Sequence, residues 1–353
     1  MTAYHVPAAD ALIKLDAMEN PYPLPAAIQA RIAAAVARVP VNRYPDAGAK
    51  AVKRALRDGL HLPGTCGLVL GNGSDELIQM IALVLARPGA VALAPEPTFV
   101  MYRLSATFAG LRYVGVPLAP DFALDRRAML DAIAAHAPAV VFLAHPNNPT
   151  GNLFDDDDIE AILAAAPGLV VVDEAYTAFA QASFLDRLHA RPNLLVLRTL
   201  SKIGMAGLRL GYAVADRAWT SELEKVRPPY NVNALTQAAV PVLLDEAALL
   251  EAQAARIRAE RERVASRLAM LPGVRVHPSR ANFVTVRAPD APRWLAALAD
   301  ARILVKSLHG SHPLLEHCLR ITIGTPAEND AVMAVLAPLA GVGAGIRSRE
   351  VSP

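Results

Sequence analysis

Residues 198–211 of this chain are Arg198-Thr199-Leu200-Ser201-Lys202-Ile203-Gly204-Met205-Ala206-Gly207-Leu208-Arg209-Leu210-Gly211. They follow the apolar residues 194–197, which predict a buried strand. A lysine at the end of such a strand loses solvation, so the neutral amine of Lys202 becomes accessible as a nucleophile that can form a Schiff base. Thr199, Ser201 and Arg209 add two hydroxyls and a planar cation, which suit a phosphate dianion. An isolated Ser-Lys pair is more often a solvated surface loop, so the other motifs must decide.

The composition predicts two domains, or one large domain with a smaller lobe, because 353 residues exceed the usual size of a single core. Hydrophobic residues make up 54% of the chain, yet no apolar run approaches the ~18 residues that a membrane span needs. Lys+Arg 35 balance Asp+Glu 33, so we expect no nucleic-acid or membrane partner. Cys66 and Cys318 have no metal-like spacing. The amino terminus shows no secretory signal, which predicts a cytoplasmic protein.

Short apolar segments alternate with amphipathic segments between residues 49 and 172. They predict strands at 67–70, 90–94, 112–116, 139–144 and 169–172, and helices at 50–60, 75–86, 98–108, 126–136 and 156–165. This alternation predicts an α/β fold, a mostly parallel sheet sandwiched by helices.

A change of pattern after residue 273 predicts a smaller α+β C-terminal lobe, in the order strand, strand, helix, strand, strand, helix. We therefore predict four parts. They are a proline-rich N-terminal arm (1–25), a large domain (26–245), a small C-terminal domain with a connector helix (246–340) and a disordered tail (341–353).

Polar motifs follow several of the predicted strands, and in such sheets ligands bind beyond the carboxyl ends of the strands. Gly71-Asn72-Gly73-Ser74-Asp75-Glu76 predicts a helix capped by Ser74, whose N–H groups form an anion site. It lacks the lysine of a nucleotide-binding P-loop.

Phe99 follows another strand, where it packs in the core or stacks on a planar ring. His145-Pro146-Asn147-Asn148-Pro149-Thr150-Gly151 predicts a rigid turn, compatible with a cis X-Pro bond, that aims the Asn148 amide into the crevice.

The stretch Leu169-Val170-Val171-Val172-Asp173-Glu174-Ala175-Tyr176 ends an apolar strand with a carboxylate. Asp173 could hold magnesium, pair with a cation or protonate a ring nitrogen, and the missing P-loop disfavours the first. A carboxylate that stays ionised there needs a cationic partner, such as a protonated pyridinium nitrogen. Tyr176 is placed to donate to an oxygen on the same ring.

Taken in order, these motifs resemble the fold-type I pyridoxal-phosphate aminotransferases, and within them the histidinol-phosphate aminotransferases, over about residues 16–340. The more particular marks are Glu19-Asn20-Pro21-Tyr22, Arg43-Tyr44-Pro45-Asp46, Arg198-Thr199-Leu200-Ser201-Lys202 and Leu319-Arg320-Ile321-Thr322-Ile323-Gly324-Thr325. The resemblance implies pyridoxal 5'-phosphate as cofactor, and a homodimer. It also implies interconversion of histidinol phosphate plus 2-oxoglutarate and imidazole acetol phosphate plus glutamate, in L-histidine biosynthesis.

The resemblance also implies a role for each matching residue. Lys202 would carry the cofactor as a Schiff base and then move the proton from the substrate carbon, and Asp173 would keep the ring nitrogen protonated. Tyr176 and Asn148 would bond the ring's phenolic oxygen, and Phe99 would stack on its face. The residues implied around the phosphate are Ser74, Asp75, Thr199, Ser201, Arg209 and, from the neighbouring subunit, Tyr44. Those implied around the substrate are Asn20, Tyr22 and Arg320. The turn between Lys202 and Arg209 is one residue shorter than in many members.

Two alternatives stay open. Another reaction at the same cofactor, such as aromatic transamination or threonine-phosphate decarboxylation, would use Lys202 and Asp173 equally, because the orientation of the substrate selects the bond that breaks. A non-catalytic binding protein on the same fold is the other alternative, which the intact Lys202, Asp173 and Tyr176 disfavour.

Overall fold

The structure is a computed structural model that describes residues 12–340, and the predicted tail lies outside the described residues. Its strands are β1 Ile13–Leu15, β2 Cys66–Asn72, β3 Val91–Glu96, β4 Arg112–Pro117, β5 Val140–Ala144, β6 Leu169–Asp173, β7 Leu194–Thr199, β8 Leu210–Asp216, β9 Arg275–His277, β10 Phe283–Arg287, β11 Ile303–Ser307 and β12 Cys318–Thr322. Its helices are α1 Ala26–Val36, α2 Lys50–Gly59, α3 Ser74–Leu85, α4 Val100–Phe108, α5 Arg126–His136, α6 Asp156–Ala165, α7 Thr177–Ala180, α8 Arg217–Val226, α9 Ala234–Leu244, α10 Ala247–Ala269, α11 Ala291–Asp300 and α12 Pro326–Ala340.

A seven-stranded sheet in the order β2-β8-β7-β6-β5-β3-β4 forms the larger part of the molecule. Strands β4, β3, β5, β6 and β7 pair in parallel, and every residue of β5, β6 and β7 is buried. Strands covered on both faces need apolar residues throughout, which explains these continuous apolar segments. The predicted α/β fold with a mostly parallel sheet is confirmed.

Strand β8 and the following helix α8 did not emerge from the sequence pattern. The strand runs antiparallel to both of its neighbours, β7 and β2. The chain returns along β7 after a turn of only residues 200–209, which is too short for the crossover that a parallel strand requires. This return places residues 198–211 at one end of the sheet.

A five-stranded sheet in the order β1-β11-β12-β10-β9 lies at the carboxyl-terminal side of the chain. Strand β1 pairs in parallel with β11, whereas the other strands are antiparallel to their neighbours. The arm predicted as extended thus contributes an edge strand to this sheet. Helices α10, α11 and α12 pack on it around buried residues such as Ile257, Trp294 and Leu336.

The carboxyl ends of β5, β6 and β7 lie side by side. Ala144 pairs with Asp173, and Asp173 pairs with Leu197. The motifs that follow these strands therefore meet at one edge of the sheet, as the alternation predicted. Within residues 12–340, none of the helices has both the length and the hydropathy of a membrane span.

Candidate active site

One cavity at this edge brings together most of the predicted site residues. Its walls include Ser74, Asp75, Phe99, Asn148, Asp173, Tyr176, Thr199, Ser201, Lys202 and Arg209. They come from loops and element ends spread over more than a hundred residues of sequence, and the sheet edge is what unites them.

Lys202 lies in the turn after β7, and its Nζ donates a hydrogen bond to the Ala17 carbonyl at 3.2 Å. Burial and, after it, the positive charge of Arg320 lower the pKa of Lys202 to about 8, against the opposing effect of the Asp75 charge. The neutral amine, which is the form that attacks carbonyl carbons, therefore becomes the main form above about pH 8 rather than above the ordinary value of 10.5.

Asp173 and Glu174 are consecutive buried acids with different environments. The Glu174 carboxylate accepts hydrogen bonds from the Arg198 guanidinium, at 2.9 Å from Nε, and from Ser183. The Asp173 carboxylate accepts from two neutral donors, the Tyr102 hydroxyl at 2.7 Å and the Ala175 N–H at 3.1 Å. Burial raises the pKa of Asp173 to about 6, against the effect of these two bonds. Asp173 is therefore the acid that a cation in the cavity would stabilise.

The glycine turn before α3 forms an anion site at the other end of the cavity. Ser74 is the first helical residue and Gly73 precedes it, so the prediction that Ser74 caps the helix is wrong. Gly73 occupies the cap position instead, where only glycine fits: its φ is +85°, and a Cβ there would lie 2.4 Å from a terminal nitrogen of Arg209. Arg209 Nη1 donates to Ser201 Oγ at 3.3 Å, and the Thr199 hydroxyl donates to the same oxygen at 3.0 Å. The shorter turn therefore still brings Arg209 into the cavity.

Asn148 and Arg320 connect the two sheets. Arg320 of β12 is buried, and its Nη1 donates to the amide oxygen of Asn148. Its Nη2 donates to the Asp16 carbonyl at 2.9 Å. With its oxygen held by the guanidinium, the Asn148 amide presents its NH2 group as a donor in the cavity wall. The turn that carries Asn148 contains cis bonds at His145-Pro146 and Asn148-Pro149, as the prolines allowed.

Four predicted residues do not line this cavity. Arg320 lines a second cavity, described below, and the other three, Asn20, Tyr22 and Tyr44, line neither. Asn20 bonds Gln253 on α10 at 2.9 Å, and its side-chain oxygen accepts the Tyr22 N–H at 2.9 Å. Arg256 lies 4.0 Å over the Tyr22 ring. Tyr44 is 81% exposed and stacks on Tyr230, with ring centroids 4.4 Å apart. The roles implied for these three residues stay predictions.

Sequence reasoning missed Tyr102 and Met18, which both line the cavity. Tyr102 lies inside α4, where an aromatic residue is ordinarily a core residue. The only signal for it is its spacing of three residues from Phe99, which places Tyr102 one helical turn after the N-cap. Met18 belongs to the arm and is tied by its N–H to Thr322 and by its carbonyl to Asn282. Its position depends on contacts with residues far along the chain.

A second cavity, of about 850 Å³, adjoins the first and shares Met18, Asp75, Phe99 and Asn148 with it. Arg320, Lys306, Arg103 and His312 also line it, together with Glu96. The Arg103 guanidinium is held by Glu96 at 2.5 Å and lies over the Tyr113 ring. An anionic small molecule could therefore extend from the first cavity into the second.

Comparison with known proteins identifies the family. Residues 10–336 match the model of "Aminotransferase class I and II". The chain belongs to the class I and II aminotransferases. The chain is also 58% identical over 334 residues to a histidinol-phosphate aminotransferase of Chromobacterium violaceum, and the match covers 95% of this chain and 94% of that protein.

Two solved structures share the aminotransferase fold. A histidinol-phosphate aminotransferase of Sinorhizobium meliloti in complex with pyridoxal-5'-phosphate has a TM-score of 0.85 at 24% identity, covering 96% of each chain. L-threonine-O-3-phosphate decarboxylase of Porphyromonas gingivalis has a TM-score of 0.81 at 21% identity, covering 94% of this chain and 100% of that one. Because a transaminase and a decarboxylase are both similar, the fold alone does not select the reaction.

Family membership confirms the prediction of an aminotransferase, and the solved structures confirm the predicted fold-type I architecture. The resemblance to the histidinol-phosphate aminotransferases is confirmed by the identity with the Chromobacterium protein.

Proposed function

We propose that this aminotransferase uses pyridoxal 5'-phosphate to interconvert histidinol phosphate plus 2-oxoglutarate and imidazole acetol phosphate plus glutamate, in L-histidine biosynthesis. The 58% identity to a histidinol-phosphate aminotransferase over nearly the whole chain supports the choice of substrate. The observation that carries the chemistry is that Lys202 and Asp173 line one cavity, the first with a lowered and the second with a raised pKa.

The cavity suits each part of the cofactor. Asp173 is a buried carboxylate whose hydrogen bonds come from neutral donors, and a protonated pyridine nitrogen supplies the missing positive charge. The N-terminus of α3, the hydroxyls of Thr199 and Ser201 and the Arg209 guanidinium suit a phosphate dianion. Gly211 lets β8 approach this site closely, because a Cβ there would lie 2.5 Å from the Ser74 nitrogen. The donor set therefore fits pyridoxal phosphate.

The chemistry that this group supplies is withdrawal of electrons from the substrate α-carbon through a protonated ring. Lys202 would provide the amine that holds the cofactor, and as general base it would take the proton from the substrate α-carbon. Its lowered pKa suits this work near neutral pH. Among the residues that line the cavity, Asp173 would hold the proton on the ring nitrogen, Asn148 and Tyr176 would donate to the phenolic oxygen, and Phe99 would cover the ring face.

Recognition of the substrates takes place toward the second cavity. Arg320 binds the carboxylate of glutamate or the phosphate of histidinol phosphate, since a guanidinium forms paired hydrogen bonds with either group. Its bond to Asn148 couples the substrate end of the site to the cofactor end. We place Asn20 and Tyr22 at the substrate as well, delivered by the arm that already carries Met18 into the cavity wall.

The working unit in this proposal is a cytoplasmic homodimer. Tyr44 stands 81% exposed beside Tyr230, which is 40% exposed. An aromatic pair left open in this way fits a surface that a second copy covers, with Tyr44 directed to the cofactor phosphate of the partner subunit. The two sheets support the division into a large domain (26–245) and a small domain (246–340), because the seven-stranded sheet lies within residues 66–216 and the five-stranded sheet takes all but β1 from residues 275–322.

A half-reaction panel tests the proposal. The purified protein, reconstituted with pyridoxal phosphate, is mixed with histidinol phosphate, phenylalanine or threonine phosphate, and the loss of its visible absorbance is followed by stopped flow. We expect histidinol phosphate to react fastest, without release of carbon dioxide, and borohydride to attach the cofactor to the peptide that contains Lys202.

Each alternative predicts a different result in the same panel. Fastest reaction with phenylalanine would indicate an aromatic aminotransferase, and carbon dioxide from threonine phosphate would indicate a decarboxylase. Lys225→Ala is the surface control for Lys202→Ala, because Lys225 is exposed and bonds only Glu222 among the described residues. Failure of the wild-type protein to take up the cofactor would overturn the enzymatic proposal as a whole.

A further inference from the structure

Tyr102 is a completely buried tyrosine whose ring is held on two sides. It stacks on Phe142 of β5, with ring centroids 4.7 Å apart and an angle of 5° between the planes. Phe99 meets it edge-on at 5.6 Å. The Tyr102 N–H also donates to the Phe99 carbonyl at 3.2 Å, so one helical turn fixes the positions of both aromatic residues relative to each other. The Tyr102 hydroxyl therefore has a well-defined position.

That hydroxyl donates to Asp173 Oδ2 at 2.7 Å, and Ala175 donates to Oδ1 at 3.1 Å. Each carboxylate oxygen thus has one protein donor, and each can accept a second hydrogen bond. Tyr102 and Asp173 both line the cavity, so this remaining capacity is available to a ligand group. The two bonds together set the plane of the carboxylate.

The hydroxyl also affects the charge of the acid. Burial and the nearby Asp173 raise the pKa of Tyr102 well above its ordinary value, so it remains a donor at every working pH. Burial raises the pKa of Asp173, and the bond from Tyr102 opposes that rise. Without the hydroxyl the carboxylate is less stabilised and becomes a stronger base.

We infer that Tyr102 is a positioning residue for the cofactor ring, whose hydroxyl orients the Asp173 carboxylate and keeps the shared proton on the ring nitrogen. This inference rests on the proposed cofactor. Removal of the hydroxyl moves the proton from the ring nitrogen to Asp173, and the ring then withdraws electrons less effectively. The start of α4 thereby contributes two residues around the ring: Phe99, its N-cap, at the ring face and Tyr102, in its first turn, near the ring nitrogen.

The test uses Tyr102→Phe, which keeps the stacked ring and removes only the hydroxyl. The enzyme is loaded with pyridoxal phosphate labelled with ¹⁵N in the ring, and the nitrogen chemical shift is recorded against pH. We expect a protonated nitrogen in the wild type and a largely neutral one in the variant at the same pH. We also expect kcat to fall about tenfold or more, since a hydrogen bond to a charged group is lost, while KM for glutamate stays within about twofold.

Tyr212→Phe is the matched control. Tyr212 is a buried tyrosine of β8 whose hydroxyl bonds the charged Arg198, outside the cofactor cavity. The Tyr212→Phe variant also loses one hydrogen bond to a charged group. We therefore expect a change in thermal stability similar to that of Tyr102→Phe and an unchanged chemical shift of the ring nitrogen. An unchanged nitrogen shift in Tyr102→Phe, or equal changes in both variants, would contradict the inference. A wild-type enzyme that binds no cofactor would instead refute the proposed function, so the two failures are distinguishable.

A second variant covers the case in which Tyr102→Phe does not fold. Incorporation of 3-fluorotyrosine at position 102 preserves the ring and makes the hydroxyl a stronger donor. The carboxylate then becomes a weaker base, so at a fixed pH the shared proton should lie further toward the ring nitrogen, and the nitrogen chemical shift should move opposite to that expected for Tyr102→Phe. A shift in the same direction as that expected for Tyr102→Phe, or none, would overturn the assignment.

Discussion

Lys202 and Asp173 are affected by the same physical cause with opposite results. Burial disfavours the charged form of each, so it lowers the pKa of the amine to about 8 and raises that of the carboxyl to about 6. Each pKa thereby moves toward neutral pH, where the group can take up or return a proton at little free-energy cost. Perturbed pairs of this kind are typical of active sites.

Arg320 contributes to the state of Lys202 as well as to substrate binding. Because its positive charge lowers the pKa of the amine, Arg320→Gln should raise that pKa. Below its pKa the lysine is mainly an unreactive ammonium, so the pH at which the apoprotein gains reactivity should move upward from about 8. Reductive methylation of the apoprotein, with the Lys202 peptide quantified by mass spectrometry, measures this midpoint.

Arg275→Gln is the control for that experiment. Arg275 is exposed on β9, the far edge strand of the five-stranded sheet, and is absent from the charges that act on Lys202. Its removal should leave the midpoint unchanged. A midpoint that stays in place in Arg320→Gln, or moves downward, would show that the charge of Arg320 does not act on the amine.

At the scale of elements, the turn between β2 and α3 shows how backbone geometry determines a side-chain position. Gly73 has a left-handed φ, and the Arg209 guanidinium occupies the space next to its α-carbon. Arg209 itself lies at φ +50° after a short turn. The two strands β2 and β8 pair directly, with Gly71 opposite Gly211, which keeps both turns in register.

Gly73→Ala should therefore weaken cofactor binding. The added methyl group lies where Arg209 Nη2 now sits, at 2.4 Å, so the guanidinium must leave the phosphate site. A non-glycine residue in this backbone region, with ψ at 165°, also costs roughly 1–3 kcal/mol of stability. We expect the dissociation constant of pyridoxal phosphate, measured by fluorescence quenching of the apoprotein, to rise about tenfold, as expected for a lost charge-assisted contact.

Gly89→Ala is the control that separates the cost of the backbone conformation from the displacement of Arg209. Gly89 has φ +77° and a Cβ there would meet nothing within 4 Å. It should lower thermal stability to a similar extent without a change in cofactor affinity. Equal affinities in the two variants would mean that Arg209 does not contact the phosphate.

At the scale of the whole molecule, the proposed dimer makes the site a joint property of two chains. Tyr44 is exposed in the single chain and far along the sequence from Lys202. If it serves the partner's cofactor, Tyr44 and Lys202 of one chain belong to different sites, so in a mixed dimer of the two variants both defects fall in the same site and the other site stays intact. This separation permits a direct test.

Mixing the inactive variants Lys202→Ala and Tyr44→Ala, followed by unfolding and refolding together, should restore activity. In a mixed dimer, one site combines an intact Lys202 with an intact Tyr44 from the other subunit. Random assembly makes about half of the dimers mixed with one good site each, so we expect roughly a quarter of wild-type activity. Activity no greater than the mean of the two separate variants would show that Tyr44 does not act across an interface.

The order of polar motifs and the continuous apolar strands were readable from the sequence alone, because both depend on local spacing. A run such as residues 169–173 must be buried on both faces, and a parallel sheet brings the residue after each such run to one edge. That was enough to predict the α/β fold and a cavity with Lys202, Asp173 and Asn148 in its walls.

Only the tertiary structure decided which neighbour of a motif serves the site. Asn147 is fully buried and bonds Thr98 and Thr150, whereas Asn148 meets Arg320 from the other sheet, 172 residues away. Tyr102 reaches Asp173 across 71 residues because β3 and β6 flank β5. Contacts of this kind depend on strand order and packing between elements, and local periodicity contains no information about either.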